Sequence, residues 1–218
     1  MELEVRNKKF IFKTSKDQNV FFTSDTHFYH KNIINFCKRP FNDLQEMHKE
    51  IIRMWNETVR PNDIVFILGD IIFGGANAYE EILPQLNGKK YLILGNHDYK
   101  NFTTNKCKYF EAVYDKMFIA VNDQEIILNH EPLLCYGGQQ NNRIWHLFGH
   151  VHTTKDLNLK GSCDAQRMFL MATPTMYDVG MDFNDYKPIS FAEVKEIIQG
   201  QVAADLNYYK YARTKAQG

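Results

Sequence analysis

The chain has 218 residues, 44% hydrophobic and 24% charged, with 26 basic residues balanced by 26 acidic ones. This length suits one domain with a sizeable core, and the apolar and charged fractions are ordinary for a globular protein. A net charge of zero excludes a general electrostatic pull toward nucleic acid or an anionic membrane. In chain order, residues 5–13 and 20–23 read as strands around a turn near Lys16-Asp17. Residues 30–37 read as a short helix stopped by Pro40. Asp43 is an expected N-cap with Glu46 three residues on, opening a helix that carries Met47, Ile51, Met54, Trp55 and Val59 at helical spacing and ends before Pro61. Ile64 to Leu68 and Tyr91 to Leu94 are apolar runs of strand type. Between them, residues 76–86 read as a helix closed by Asn87-Gly88. The polar stretch from Asp98 to about Tyr109 is an expected loop. Residues 117–121 and 125–128 form a hairpin around Asn122-Asp123. Residues 191–199 read as a helix, and the Tyr- and Lys-rich tail from Asp205 as a peripheral helical one. The pattern is α/β, without repeats or low-complexity linkers.

Cys37, Cys107, Cys135 and Cys163 lie far apart without a C-x-x-C pair, so they read as reduced, mostly buried thiols of a cytosolic protein. The start, Met1-Glu2-Leu3-Glu4, lacks a signal-peptide core, and no apolar stretch approaches a membrane span. The expectation is a single cytoplasmic domain over residues 1–218.

Short segments rich in Asp, His and Asn punctuate this frame: Asp25-Thr26-His27, Gly69-Asp70, Gly95-Asn96-His97-Asp98, His130 and Gly149-His150-Val151-His152. Most follow directly on an apolar or β-branched run. In α/β sheets, ligands sit beyond the carboxyl ends of the strands, so one site is being assembled from several loops. Two divalent cations about 3.5–4 Å apart can clamp both oxygens of a phosphoryl displacement. Holding them takes imidazoles, carboxylates and an amide carbonyl, with one carboxylate shared. Asp25, His27, Asp70, Asn96, His130, His150 and His152 supply that mixture. His97 is left over as a candidate proton donor, with Asp98 beside it as a carboxylate to orient it. Each residue also has a plainer reading: Asp25 or Asp98 as a helix cap, Asp70 as turn chemistry, His48 and His146 as ordinary histidines.

The order D-x-H, G-D, G-N-H-D, H, G-H-x-H resembles the calcineurin-like metallophosphoesterase superfamily from Asp25 to His152. The resemblance implies a four-layer α/β/β/α sandwich of two mixed sheets flanked by helices. It implies one ion held by Asp25, His27 and His152, a second by Asn96, His130 and His150, and Asp70 bridging them. Asn96 and His97 would meet the substrate phosphate, and a metal-bridging hydroxide would attack phosphorus. Residues 24–34 with Arg39-Pro40-Phe41, and Asp178-Val179-Gly180-Met181-Asp182 with Tyr186-Lys187-Pro188-Ile189-Ser190, resemble a branch of small bacterial and phage phosphoesterases.

The substrate implied is a phosphodiester or phosphomonoester of a small or nucleotide-type molecule. Manganese is the working choice of metal by resemblance, with iron, zinc or nickel as alternatives. His30, Arg39 and Arg143 are candidate substrate contacts, Arg39 by a bidentate phosphate contact and Arg143 from a loop opened by Tyr136-Gly137-Gly138. The alternatives are a nuclease, a protein phosphatase and a non-catalytic scaffold. The protein phosphatases of the superfamily carry an Arg shortly after Gly-Asp, where this chain has Ile71-Ile72-Phe73-Gly74-Gly75, and a nuclease needs a basic track. Partners beyond a small substrate are not indicated.

Overall fold

The computed structural model describes residues 9–14, 17–99, 108–154 and 173–216, with side chains of the final stretch described to residue 205. The strands are β1 (Phe10–Phe12), β2 (Val20–Thr23), β3 (Ile64–Leu68), β4 (Lys89–Ile93), β5 (Ala112–Tyr114), β6 (Lys116–Val121), β7 (Gln124–Asn129), β8 (Ile144–Phe148), β9 (Met176–Asp178) and β10 (Ile189–Ser190). The helices are α1 (Lys31–Phe36), α2 (Leu44–Thr58), α3 (Ala76–Ile82) and α4 (Phe191–Ala216).

Two five-stranded sheets result, one of order β1-β6-β7-β8-β9 and the other of order β10-β2-β3-β4-β5. Both are mixed. β7, β8 and β9 run parallel with β6 antiparallel to β7, while β2 to β5 run parallel with β10 antiparallel to β2. The apolar runs are continuous because their strands are covered on both faces. Phe22, Phe66 and Leu68 point into the core between the sheets and meet Met117, Ile119, Ile126, Leu128 and Leu147. Phe21, Val65 and Ile67, one residue out of phase, point the other way onto Met47, Ile51 and Trp55 of α2 and Tyr79 and Ile82 of α3. Phe191, Val194 and Ile198 of α4 join the inter-sheet core. Two mixed sheets flanked by helices are what the resemblance implied.

The local signals account for most boundaries. The Asp43 carboxylate accepts the Glu46 N–H at 2.9 Å, and Glu46 reaches back to the Asn42 N–H, one residue beyond the N-cap N–H that the reciprocal bond of a capping box would use. The helix over 76–86 is shorter than expected: it passes into a 3-10 turn at Leu83–Gln85, because Pro84 has no N–H for an α-helical bond. The hairpin turn holds, with Asn122 and Asp123 at φ 47° and 69°, the left-handed pair that a two-residue primed turn needs. The helical tail runs on to Ala216. Of the cysteines, Cys37 is half-buried and Cys135 exposed, which corrects the expectation of mostly buried thiols. Most of the loop expected after Asp98, and both Cys107 and Cys163, lie outside the described residues. No described helix is long and apolar enough to cross a membrane.

His146, in the middle of β8, is fully buried and structural. Its Nε2 accepts the Leu133 N–H at 2.9 Å and its Nδ1 donates to the Ile127 carbonyl at 3.3 Å. Burial pushes its pKa down to about 4. The neutral ring is therefore favoured more strongly in the folded chain than in the unfolded one. Its stabilising contribution is intact above the unfolded pKa near 6.5 and declines as pH falls toward 4, by at most about 3 kcal/mol. Urea unfolding of wild type and His146→Gln between pH 7 and 4.5 tests this: the stability gap between them should narrow on acidification. A gap that stays constant would show that His146 is not the acid-sensitive group.

Candidate metal centre

The strands of both sheets deliver their carboxyl ends to one rim. β2, β3 and β4 end just before Asp25, Asp70 and Asn96, and β7 and β8 just before His130 and His150. Backbone bonds tie neighbouring strand ends within each sheet: Asp25 N–H to Gly69 O (3.1 Å), His27 N–H to Asp70 O (3.0 Å) and Gly149 N–H to His130 O (2.9 Å). A bridge from Ser24 to Gly180 ties the β2 end to the segment after β9. The glycines of the sequence blocks permit this approach. Gly69 has φ +86°, and a Cβ there would lie 2.6 Å from Gly95 Cα; a Cβ on Gly149 would lie 2.0 Å from Ser24 Oγ and 2.4 Å from Asp25 Oδ2. Five donor-bearing residues also sit in the left-handed region: Asp25 (φ 56°), His27 (51°), Asp70 (52°), His150 (71°) and His152 (49°). Such backbone persists only where its surroundings over-determine it.

The side chains converge on two adjacent points. At the first, His27 Nε2 and His152 Nε2 lie 3.7 and 3.8 Å from Asp25 Oδ1 and 3.2 Å from each other. At the second, Asn96 Oδ1 lies 3.0 Å from both His130 Nε2 and His150 Nδ1. Asp70 Oδ2 stands between them, 3.8 Å from His27 Nε2 and 3.6 Å from His130 Nε2, while Asp70 Oδ1 accepts the His97 N–H at 3.0 Å.

These donors fit a cation. Asp25 Oδ1 is buried and has no hydrogen-bond partner, a costly state for a carboxylate unless an ion meets it. Two imidazole nitrogens at 3.2 Å need something between them, either a proton or a metal. Without a metal it is a proton. Burial opposes charge on His152, but Asp25 and the hydrogen bond to Asp182 overcome it and push the imidazolium up to about 11. Burial takes His27 down to about 3, so it stays the neutral acceptor. Burial likewise disfavours the charged Asp25, yet His152 and His27 hold it well below the usual carboxylate range. Cys37, His152 and Asp182 also approach within 4.8 Å of one another. The Arg39 guanidinium already occupies both oxygens of Asp182, so a cation at that trio would face a fixed positive charge.

The calcineurin-like phosphoesterase family model matches residues 19–167 of this chain. That is well over half its length. The chain belongs to the calcineurin-like phosphoesterase family. It is 33% identical over 193 residues to uncharacterized protein MJ1445 of Methanocaldococcus jannaschii, covering 87% of this chain and 97% of that one. It is 41% identical over 85 residues to the Gene 66 protein of Mycobacterium phage D29, covering 37% of this chain and 40% of the phage protein. Among solved structures it is similar to the protein of unknown function AQ665 from Aquifex aeolicus, with a TM-score of 0.62 and 27% identity over 83% of this chain and 99% of that one.

Within this phosphoesterase fold the remaining candidates separate. The His97 side chain is half-exposed, with Nε2 3.9 Å from Asp70 Oδ2. Asp98 does not orient it. Both Asp98 oxygens are taken by backbone N–H groups, of Asp70 (2.8 Å), Gly95 (2.9 Å) and Ile71 (3.4 Å), which staples the second rim segment to the third. The His97 ring instead leans on Phe73, centroids 4.6 Å apart, and Phe73 stacks on His30 at 4.0 Å. His30 stands at the N-terminus of α1 without capping it and borders the site, its ring 5.3 Å from that of His27.

Arg39 is withdrawn from any phosphate and from the surface. It is buried, paired through Nε and Nη2 with Asp182 at 2.8 and 2.9 Å, and donates to the carbonyls of Asp25 (2.7 Å) and Thr26 (2.9 Å). Arg143 lies away from the donor set. It precedes β8 at the end opposite to His150, roughly 17 Å away along the strand, and pairs with Glu125 at 3.6 Å. Phe73 and the role of Asp182 were missed, because neither an isolated Phe nor an Asp far downstream of the last histidine block signals a partner. His48, read as ordinary, accepts the Tyr29 N–H at 2.9 Å.

Because a metal bound at His152 Nε2 would compete with a proton on that nitrogen, ion binding should release a proton and strengthen as pH rises. Titrating the metal-stripped chain with Mn²⁺ in weakly buffered solution near pH 7 should show net acid release. Binding without acid release would contradict this protonation pattern.

Proposed function

We propose that this single-domain chain hydrolyses the phosphoester bond of a small molecule, foremost a phosphodiester, with a pair of divalent metals. Asp25, His27 and His152 would hold one ion, Asn96, His130 and His150 the other, and Asp70 both. The observation that carries the reading is the position of Asp70 Oδ2, within 3.8 Å of imidazole nitrogens from each half of the donor set. The nitrogen and oxygen donors suit borderline ions, with manganese the working choice and iron, zinc or nickel the alternatives. When bound, such a pair provides a nucleophile from water near neutral pH and neutralises charge on the phosphate.

The chain's own groups do the rest. Asn96 directs its carbonyl oxygen inward, which leaves its NH₂ for a phosphate oxygen. His97, half-exposed and propped on Phe73, offers a proton to the departing oxygen. Asp98 holds the Asp70 and Gly95 backbone and so sets the geometry of both neighbours.

A cavity of about 320 Å³ opens beside Asn96 and His130, lined also by Leu94, Tyr99, Asp115, Asn129 and Glu131. Its size favours a compact substrate, and its two carboxylates disfavour a polyanion. Ile71 and Ile72, buried after Gly69-Asp70, supply no cation for a protein phosphatase's phosphoresidue. Free Cys37 and Cys135 suit a reducing, cytoplasmic setting.

Hydrolysis of bis-p-nitrophenyl phosphate and p-nitrophenyl phosphate by stripped chain with Mn²⁺ added back tests the proposal. Metal-dependent cleavage favouring the diester is expected. His97→Ala should keep both metals and lose roughly 10²–10⁴-fold in turnover, most severely with poor leaving groups. Asp70→Asn should lose metal and activity together. Full turnover by Asp70→Asn at full metal content would remove the bridging role. Two bound metals with no cleavage of any small phosphoester would leave the scaffold reading standing.

A further inference from the structure

Arg39 and Asp182, 143 residues apart, meet in a fully buried ion pair whose side chains are 0% and 1% exposed. We infer that this pair is the positioning element for the first ion's ligands, setting the His152 ring and the Asp25 backbone before any ion arrives. The inference rests on the proposed metal centre and adds to it residues that hold no ion themselves.

Three observations carry it. Asp182 Oδ2 accepts the His152 Nδ1–H at 2.8 Å, which fixes the ring and turns its Nε2 toward Asp25 Oδ1 and His27 Nε2. A carboxylate behind a ligating imidazole governs both its direction and its basicity. Arg39 completes the set from the other side, holding both Asp182 oxygens while its Nη1 and Nη2 donate to Thr26 O and Asp25 O. Those carbonyls belong to the stretch in which Asp25 and His27 stand in the left-handed region. The pair thus reaches Asp25 and His152, which come from opposite sheets, and holds the strained stretch that leads to His27. The third observation is the placement of Asp182 itself, by the Met181 N–H to Ser24 O bond at 3.0 Å and the Ser24–Gly180 bridge. A buried ion pair is a poor source of stability compared with apolar residues of similar volume. Its presence behind three ligands points to position rather than to stability.

The test uses the full chain, stripped of metal and titrated with Mn²⁺ against a chelating indicator at constant pH, so that two binding steps are resolved. Asp182→Asn keeps the volume but removes one of the two accepting oxygens. Arg39→Lys keeps the cation but cannot span Asp182 and both carbonyls. Each should weaken one binding step by roughly 10–100-fold and leave the other in place. In the metal-free variants, amides 25–29 should exchange with deuterium faster than in wild type and recover at saturating Mn²⁺. The double variant Arg39→Met, Asp182→Leu separates position from stability. Its melting temperature should equal or exceed that of wild type, yet the same binding step should remain weak. Recovery of both stability and affinity in the double variant, or equal weakening of both steps in the single ones, would overturn the inference. Unchanged binding in every variant would do the same while leaving the metal centre intact. A wild-type chain that takes up no Mn²⁺ would instead remove the metal centre on which it rests.

Discussion

The close approach of three backbone segments, at Gly69, Gly95 and Gly149, is the constraint on which the rest of the site depends. A side chain at Gly95 would place its Cβ 2.2 Å from Asp70 Oδ1, and one at Gly149 would strike Ser24 and Asp25. Only bare backbone lets the rims of two sheets come near enough for Asp25, Asp70 and His130 to share one small volume. The inter-sheet core supplies the force that brings the rims together, through Phe22, Phe66 and Leu68 on one side and Leu128 and Leu147 on the other.

Convergence has a conformational cost, since Asp25, His27, Asp70, His150 and His152 all sit at positive φ. Two further buried carboxylates brace it from two directions. Asp98 gathers the N–H groups of Asp70, Ile71 and Gly95, and Asp182 gathers Arg39 and His152. Burial pushes Asp98 up to about 6 against the opposing backbone bonds, whereas Arg39 holds Asp182 down near 2 despite its burial. The two supports therefore differ in kind: one is a carboxylate solvated by peptide groups, the other a fixed ion pair.

The surroundings of the donor set are unlike on its two sides. The rings of Phe73, His30 and His97 form a wall beside His27. On the side of Asn96 and His130, a cavity carries Tyr99 and two carboxylates, with Tyr99 hydrogen-bonded to Asp115 at 2.7 Å. The donor set is thus flanked by aromatic rings at one end and by hydrogen-bond acceptors at the other.

What the sequence by itself determined were the properties written locally. The strand runs ending at Asp25, Asp70 and Asn96, the Asp43 cap, the Asn122-Asp123 turn and the spaced Asp, His and Asn blocks all act within a few residues, so they are legible without coordinates. Alternation within a strand shows that Phe21 and Phe22 face opposite ways, but not which face meets the helices. Only the tertiary structure decided the fate of Arg39, Arg143, Asp98 and Asp182. Arg39 and Asp182 are 143 residues apart, and Asp98 finds its Asp70 partner 28 residues upstream. Arg143 belongs in sequence to the stretch between two histidine blocks, but a full strand separates it from His150 in space. A polar residue's role is set by which groups the fold brings within about 3 Å of it, and sequence spacing carries that information only inside a single element.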